Sequence, residues 1–470
     1  MRPHAVSGLP TADVPPRGPA SPGGFFVRAP RGVMLDVSRN RVYSLETLEW
    51  LAGLLAALGY DRLELYIENV FAYPGHEAVW RGIDPYTPEA LRRLGDVCAV
   101  RSITLVPNQN TLGHFERWFR LPTYRRFAEL PQGGARTPWG SVQEIPTGLC
   151  PTDPEAVAFA EGLLEALLPC FPHADAANLG GDEVFDLGQG RSAGRDKARL
   201  YVDHLSRMAD VARRHGKRPE FWADMLLRHP EAIPLAAERL GDADWVVWGY
   251  EATDDLAGGV ATLRAAGLRT LVAPGTSSWR SFCGRTANLL ANLRNAEASG
   301  AEGLLLVDWG DAGHWQPLAV SLPAFALAAG RTMDDLDRLV GVPGLGGFLL
   351  RLGDTYRTAK AEAGNSTLLF RAYNLPRAEA PAFDHEALRA TVAELDALAE
   401  AGAALGDSLL AREARHALGL QRLAVRRALG EAGLADERAR LAREMEALWL
   451  ARGPRAQLDA SLRAFLEPDL

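Results

Sequence analysis

Between residues 32 and 329 the chain alternates eight times between a short apolar run and a longer amphipathic one, an order that few folds accommodate. The short runs, at 32–38, 62–68, 104–109, 176–182, 218–224, 244–251, 269–275 and 303–310, are rich in β-branched or aromatic residues and bounded by Gly, Pro or charge, as buried strands are. The amphipathic stretches at 45–58, 88–100, 154–168, 196–215, 256–266, 287–299 and 317–329 read as helices, most closed by glycine or a basic residue; 230–240 is the weakest of the set. Right-handed crossovers between parallel strands make a closed (β/α)8 TIM barrel of the α/β class the expected fold. An open doubly wound sheet is the rival, but no Gly-x-Gly-x-x-Gly turn follows the first strand.

Around the barrel, expected over 31–335, two other regions stand out. Residues 1–30 hold Pro, Gly and Ser and read as a loose arm, without the apolar segment of a secretory signal. From 350 to 470 strands give way to Ala/Leu/Arg/Glu helices at 385–402, 409–428 and 436–451, packed on the barrel or used for homodimer contacts. A net charge of −8 with scattered arginines excludes a nucleic-acid footprint, and the apolar runs are too short to span a membrane. Cys98, Cys150, Cys170 and Cys283 lack metal or disulfide spacing, so free thiols in the cytoplasm are expected, with no metal and no cofactor.

Barrel enzymes gather their reactive groups at the carboxyl ends of the strands. There the chain carries Asp36-Val37-Ser38-Arg39, Glu68-Asn69, Thr111-Leu112-Gly113-His114, Gly180-Gly181-Asp182-Glu183, Trp222-Ala223-Asp224, Trp248-Gly249-Tyr250-Glu251, Trp279 and Asp308-Trp309-Gly310-Asp311. Gly-Gly-Asp-Glu alone fits a buried Asp tied to an Arg beside an exposed Glu just as well. Four tryptophans at the ends of strands five to eight tip the balance, because indoles stack on pyranose faces while carboxylates and guanidinium hold hydroxyls. The connection over 110–152, with Trp118 and Trp139, is expected to wall the site. The substrate read from this rim is a small sugar or an oligosaccharide.

These residues resemble glycoside hydrolase family 20, the β-N-acetylhexosaminidases. Gly180-Gly181-Asp182-Glu183-Val184 matches the signature at the end of that family's fourth strand, supported by Leu35-Asp36-Val37-Ser38-Arg39, Thr111-Leu112-Gly113-His114 and Asp308-Trp309-Gly310-Asp311. The resemblance implies removal of terminal β-linked N-acetylglucosamine or N-acetylgalactosamine with retention, the substrate's 2-acetamido group serving as nucleophile. It further implies that Glu183 is the general acid/base and Asp182 orients the acetamido group. Arg39 and Asp311 would hold ring hydroxyls, His114 would support the acid, and Trp222, Trp248 and Trp309 would wall the pocket. Like-charge repulsion from Asp182 is expected to raise the Glu183 pKa.

Several positions depart from the family's pattern. Asn178 stands where a histidine often precedes the glycines, and Leu112 replaces a proline. The tyrosine usual near the seventh strand is absent between Arg269 and Trp279, leaving Tyr250 as its substitute, and His314-Trp315 follow Asp311 where an acid is often seen. Two other readings remain open: a conventional retaining glycosidase pairing Glu183 with Glu68, Asp224 or Glu251, and a glycan-binding barrel without turnover.

Overall fold

In the computed structural model, residues 30–373 and 382–466 are described; the arm expected over 1–30 lies, but for Pro30, outside them. The eight strands form one closed parallel barrel: β1 (Arg31–Asp36), β2 (Arg62–Tyr66), β3 (Thr104–Asn108), β4 (Ala176–Asn178), β5 (Arg218–Trp222), β6 (Asp244–Trp248), β7 (Arg269–Ala273) and β8 (Gly303–Asp308). Each neighbours the next, and β1 closes on β8 with Leu35 opposite Asp308. Every strand ends earlier than its apolar run because the last residues of each run turn outward into rim loops. The shortening is greatest in β4, where Gly180 and Gly181 take φ of 77° and 91° and leave extended geometry.

Helices α1 (Leu45–Leu58), α2 (Pro88–Val100), α3 (Pro154–Leu167), α4 (Lys197–Arg214), α5 (Ile233–Arg239), α6 (Leu256–Ala265), α7 (Thr286–Ala298) and α8 (Leu322–Ala328) surround the barrel. Side-chain caps from Ser44, Thr87, Asp153, Asp196 and Asp255 set the start of five of them, satisfying N–H groups that a first turn leaves unpaired. Strand residues alternate between two cores. Val33, Leu35, Leu63, Leu65, Trp245 and Val247 pack outward on the helices, whereas Met34, Tyr66, Trp222, Val246, Leu271 and Leu305 fill the barrel. Below that filling, Arg62 pairs with Glu64 and Glu220, and Asn108 donates to Glu64 at 2.7 Å. Burial and the neighbouring Glu220 push Glu64 up to about 7, against the pull of Arg62. A packed floor and an aromatic upper layer leave only the carboxyl rim as a place for substrate.

After the barrel come α9 (Met333–Val340), α10 (Leu345–Thr358), α11 (Leu368–Tyr373), α12 (His385–Ala403), α13 (Leu409–Ala428), α14 (Ala435–Leu450) and α15 (Leu458–Leu466). The border at 350 falls inside α10. These helices pack on the barrel, the first of the two uses expected for them. Arg452 Nε and Nη2 meet Glu413 at 2.8 and 2.9 Å in a buried pair, while the Arg452 carbonyl accepts from Ser44 N and Thr47 Oγ1. Trp315 packs among Phe282, Phe370, Tyr373 and Phe465. No helix among the described residues is long and apolar enough to cross a membrane, and all four cysteines are buried free thiols.

Candidate active site

The bend after β4 is built by its neighbours. Leu179 still donates in register to Glu220 O at 2.8 Å, and its carbonyl accepts from Thr111 Oγ1 at 2.7 Å. Gly180 N then turns back onto Asn178 Oδ1 at 3.0 Å, so the asparagine that departs from the family pattern holds the turn. A Cβ on Gly180 would lie 2.3 Å from Asn110 Oδ1, and one on Gly113 would lie 2.6 Å from the Asp182 carbonyl. Both contacts require glycine. Tyr201 on α4 donates to Gly181 O at 2.9 Å. Glu183 itself sits at φ 49°, a conformation costing about 1–3 kcal/mol outside glycine, and its N–H is held by Asp224 Oδ2 at 3.1 Å.

Consecutive residues of a strand would face opposite ways. The bend instead brings both carboxylates to His114, whose Nε2 lies 3.1 Å from Asp182 Oδ2 and 3.6 Å from Glu183 Oε2. His114 is thus bonded to Asp182 and only close to Glu183. Burial would lower the His114 pKa, but the charge and hydrogen bond of Asp182, with Glu116 and Glu183 beyond, hold it well above the usual histidine value. The imidazolium therefore donates to Asp182. Asp182 Oδ1 is buried and accepts nothing among the described residues. Glu183 titrates above the usual carboxyl value, with burial the leading cause; His114 opposes it, and Asp182 ranks below both. The expected direction holds, but the leading cause is desolvation rather than repulsion. Asp224, at the carboxyl end of β5, is pushed up to about 7 by burial and then by Asp182.

The other rim residues converge on this pair. Arg39 Nη1 reaches Asp36 Oδ2 at 3.2 Å and Asp311 Oδ1 at 3.0 Å, with its guanidinium 5.0 Å from the Tyr66 ring and 4.8 Å from Trp309. Both Arg39 and Asp311 act electrostatically on Glu183. Trp222, 1 % exposed at the top of the barrel filling, lies with its ring centroid 6.0 Å from that of Trp309, and Trp248 stacks on Tyr250 at 5.1 Å. Trp309 Nε1 donates to Tyr250 Oη at 2.9 Å, so the Tyr250 hydroxyl keeps its own proton free. Trp279 stands edge-on behind Tyr250 and donates to Asn365 Oδ1 at 2.7 Å. All nine residues singled out in the sequence thus share one rim.

Some expectations change. Trp118 does not wall the site: it is 1 % exposed, packed between Tyr73, Tyr124 and Phe159 in the core beneath the long loop. His314 is buried, with Gly310 lying against its ring, and Trp315 faces the C-terminal helices, so neither takes the place of the missing acid. Glu251 has both oxygens on Arg285, at 2.8 and 2.9 Å, and also accepts Asn365 N. Glu68 accepts from Tyr66 at 2.9 Å and from Arg117 at 3.0 Å. Arg117, Glu116, Asn365 and Gln457 were not foreseen. Glu116 sits two residues past His114 and was within reach of inspection. The others come from distant turns that carry no motif.

A TIM barrel whose rim joins an adjacent Asp–Glu pair to an arginine and a tryptophan-lined mouth defines a glycoside hydrolase of the barrel class. The profile of the glycosyl hydrolase family 20 catalytic domain matches residues 29–278, and the chain belongs to that family. It is 26% identical to hexosaminidase D of Homo sapiens over 296 residues, which span 58% of this chain and 58% of that protein. Against hexosaminidase D of Bos taurus it is 26% identical over 340 residues, 66% of this chain and 89% of the relative. Among solved structures, the chitobiase of Flavobacterium johnsoniae aligns with a TM-score of 0.53 at 14% identity, covering 93% of this chain and 78% of that one, a likeness of fold.

Proposed function

We propose that the chain is an exo-acting β-N-acetylhexosaminidase that removes terminal β-linked N-acetylglucosamine or N-acetylgalactosamine with retention, its substrate supplying the nucleophile. The observation that carries this reading is the unshared Oδ1 of Asp182, a buried acceptor beside a carboxyl that titrates high. Asp182 accepts the acetamido N–H at that oxygen, which turns the acetamido carbonyl toward the anomeric carbon and stabilises the positive charge growing on the group. His114 holds Asp182 in place through its other oxygen. Glu183, protonated, donates to the glycosidic oxygen as the C–O bond breaks and the carbonyl oxygen attacks. It then takes a proton from the water that opens the oxazolinium intermediate. The free Tyr250 hydroxyl donates to the acetamido carbonyl, replacing the missing tyrosine of the seventh strand. Trp222, Trp248 and Trp309 enclose the ring, while Arg39 and Asp311 bind the outer hydroxyls.

Glu251 and Glu68 are committed to Arg285, Arg117 and Tyr66, and Asp224 to the Glu183 N–H and Trp248, which weighs against any of the three as a conventional carboxylate nucleophile. A cytoplasmic setting belongs to the same reading, supported by four free buried thiols. The test is a panel of aryl β-glycosides with and without the 2-acetamido group, together with a thiazoline mimic of the intermediate. Turnover confined to the acetamido sugars and tight binding of the thiazoline are expected. Equal turnover of plain glucosides would overturn the reading, and failure to cleave any of them would leave a binding protein.

A further inference from the structure

One residue beyond Glu183 a second recess opens, of about 320 Å³, and it shares no residue with the tryptophan-lined mouth. Its apolar surface comes from Val184, Phe185 and Leu187 after β4, Met225 after β5, and Pro138 from the small hairpin whose strands are Ala135–Arg136 and Val142–Gln143. Trp139 stands edge-on to Phe185 at 5.0 Å. Three cations ring this surface, Arg136, Lys197 and Arg228, and no Asp or Glu lines it. Arg228 lies 5.5 Å over the Phe185 ring, and the Lys197 stem runs against Gly188. None of the three forms an ion pair among the described residues. By contrast Arg39, Arg117 and Arg285 on the rim are each paired with a carboxylate. In a chain of net charge −8, three unpaired cations around one apolar floor are a directed positive field.

A general acid must reach the bridging oxygen, so the departing group lies next to Glu183, and the recess begins at the following residue, Val184. We propose that this recess receives the leaving group and favours one bearing a carboxylate, a hexuronate whose ring rests on Phe185 and Trp139 while Arg228, Lys197 and Arg136 meet its charge. This inference rests on the hydrolase reading above. Guanidinium forks suit a carboxylate, and aromatic faces suit the apolar side of the sugar ring.

The experiment compares two disaccharides in which the same N-acetylhexosamine is β-linked to the same hydroxyl of glucuronic acid or of glucose, with an aryl N-acetylhexosaminide as reference. The uronate should be cleaved with a kcat/KM about three- to tenfold higher at low salt, the gain expected of a few partly exposed charge pairs. That ratio should fall toward one at high salt and in Arg228→Gln and Lys197→Gln. A ratio of one or below in the wild type would overturn the proposal, as would a preference that both substitutions and salt leave intact. Cleavage of the aryl reference without uronate preference removes this inference alone; no cleavage of the reference removes the hydrolase reading and this inference with it.

Discussion

Asp182 and Glu183 are chemically similar neighbours in different surroundings, and the proposed mechanism gives them different tasks. One shares an oxygen with an imidazolium and keeps the other free; the second loses water and gains protons. Glu183→Gln is therefore expected to cut kcat by about 10²- to 10⁴-fold on glycosides with poor leaving groups and much less where the leaving group needs no proton. Asp182→Asn should slow both kinds by about 10²- to 10³-fold, because it acts on the nucleophile. Steady-state kinetics on two aryl series read the difference, and equal losses across both variants and both series would contradict these roles. His114 supplies a pH test. Its positive charge lowers the Glu183 pKa, and in the proposed mechanism Glu183 works protonated, so its pKa would mark the basic limb of kcat. Replacing the cation in His114→Asn raises that pKa, and the limb should move to higher pH. A limb that stays in place or moves down would contradict the assignment.

At the scale of elements, the site depends on one strand ending early. Glycines at 180 and 181 turn the chain, and Gly113 lets the loop after β3 approach the Asp182 carbonyl. Gly113→Ala should push that carbonyl aside and lower kcat/KM by about tenfold to a hundredfold, since displacements of 1 Å matter at a reacting centre. Circular dichroism should show an unchanged fold; unaltered kinetics would mean the approach is not needed. This part of the molecule was legible in the sequence because strand period, glycine pair and carboxylates lie within a few residues of each other. The place of Tyr250 beside Trp248 and Trp309 was also legible, from its position at the end of the sixth strand. What escaped depends on separation: Asn365 reaches Glu251 and Trp279 from a turn beyond the barrel, and Gln457 reaches Arg117 across 340 residues. Trp118 misled because an indole in a long loop can face either way, and here it serves the core.

Across the whole molecule, turns between the C-terminal elements brace the rim. Gln457 and Asn365 touch side chains next to the site, and Arg452 anchors the start of α1 while paired with Glu413 in a buried setting. Removing one partner of such a pair strands the other without water. Arg452→Met should therefore cost about 3–5 kcal/mol, read by denaturant unfolding. The loss should appear in a single transition that carries activity and helical signal together. Two separate transitions, with activity surviving the loss of the C-terminal helices, would mean that the barrel stands without them.

The central claim is that the sugar's own acetamido oxygen attacks the anomeric carbon. Its most direct test is kcat/KM on aryl N-acetylhexosaminides whose acetyl group carries none, one, two or three fluorines, since fluorine drains electron density from that oxygen while changing little else. A steep fall with each added fluorine is predicted, and a rate indifferent to fluorine would contradict it.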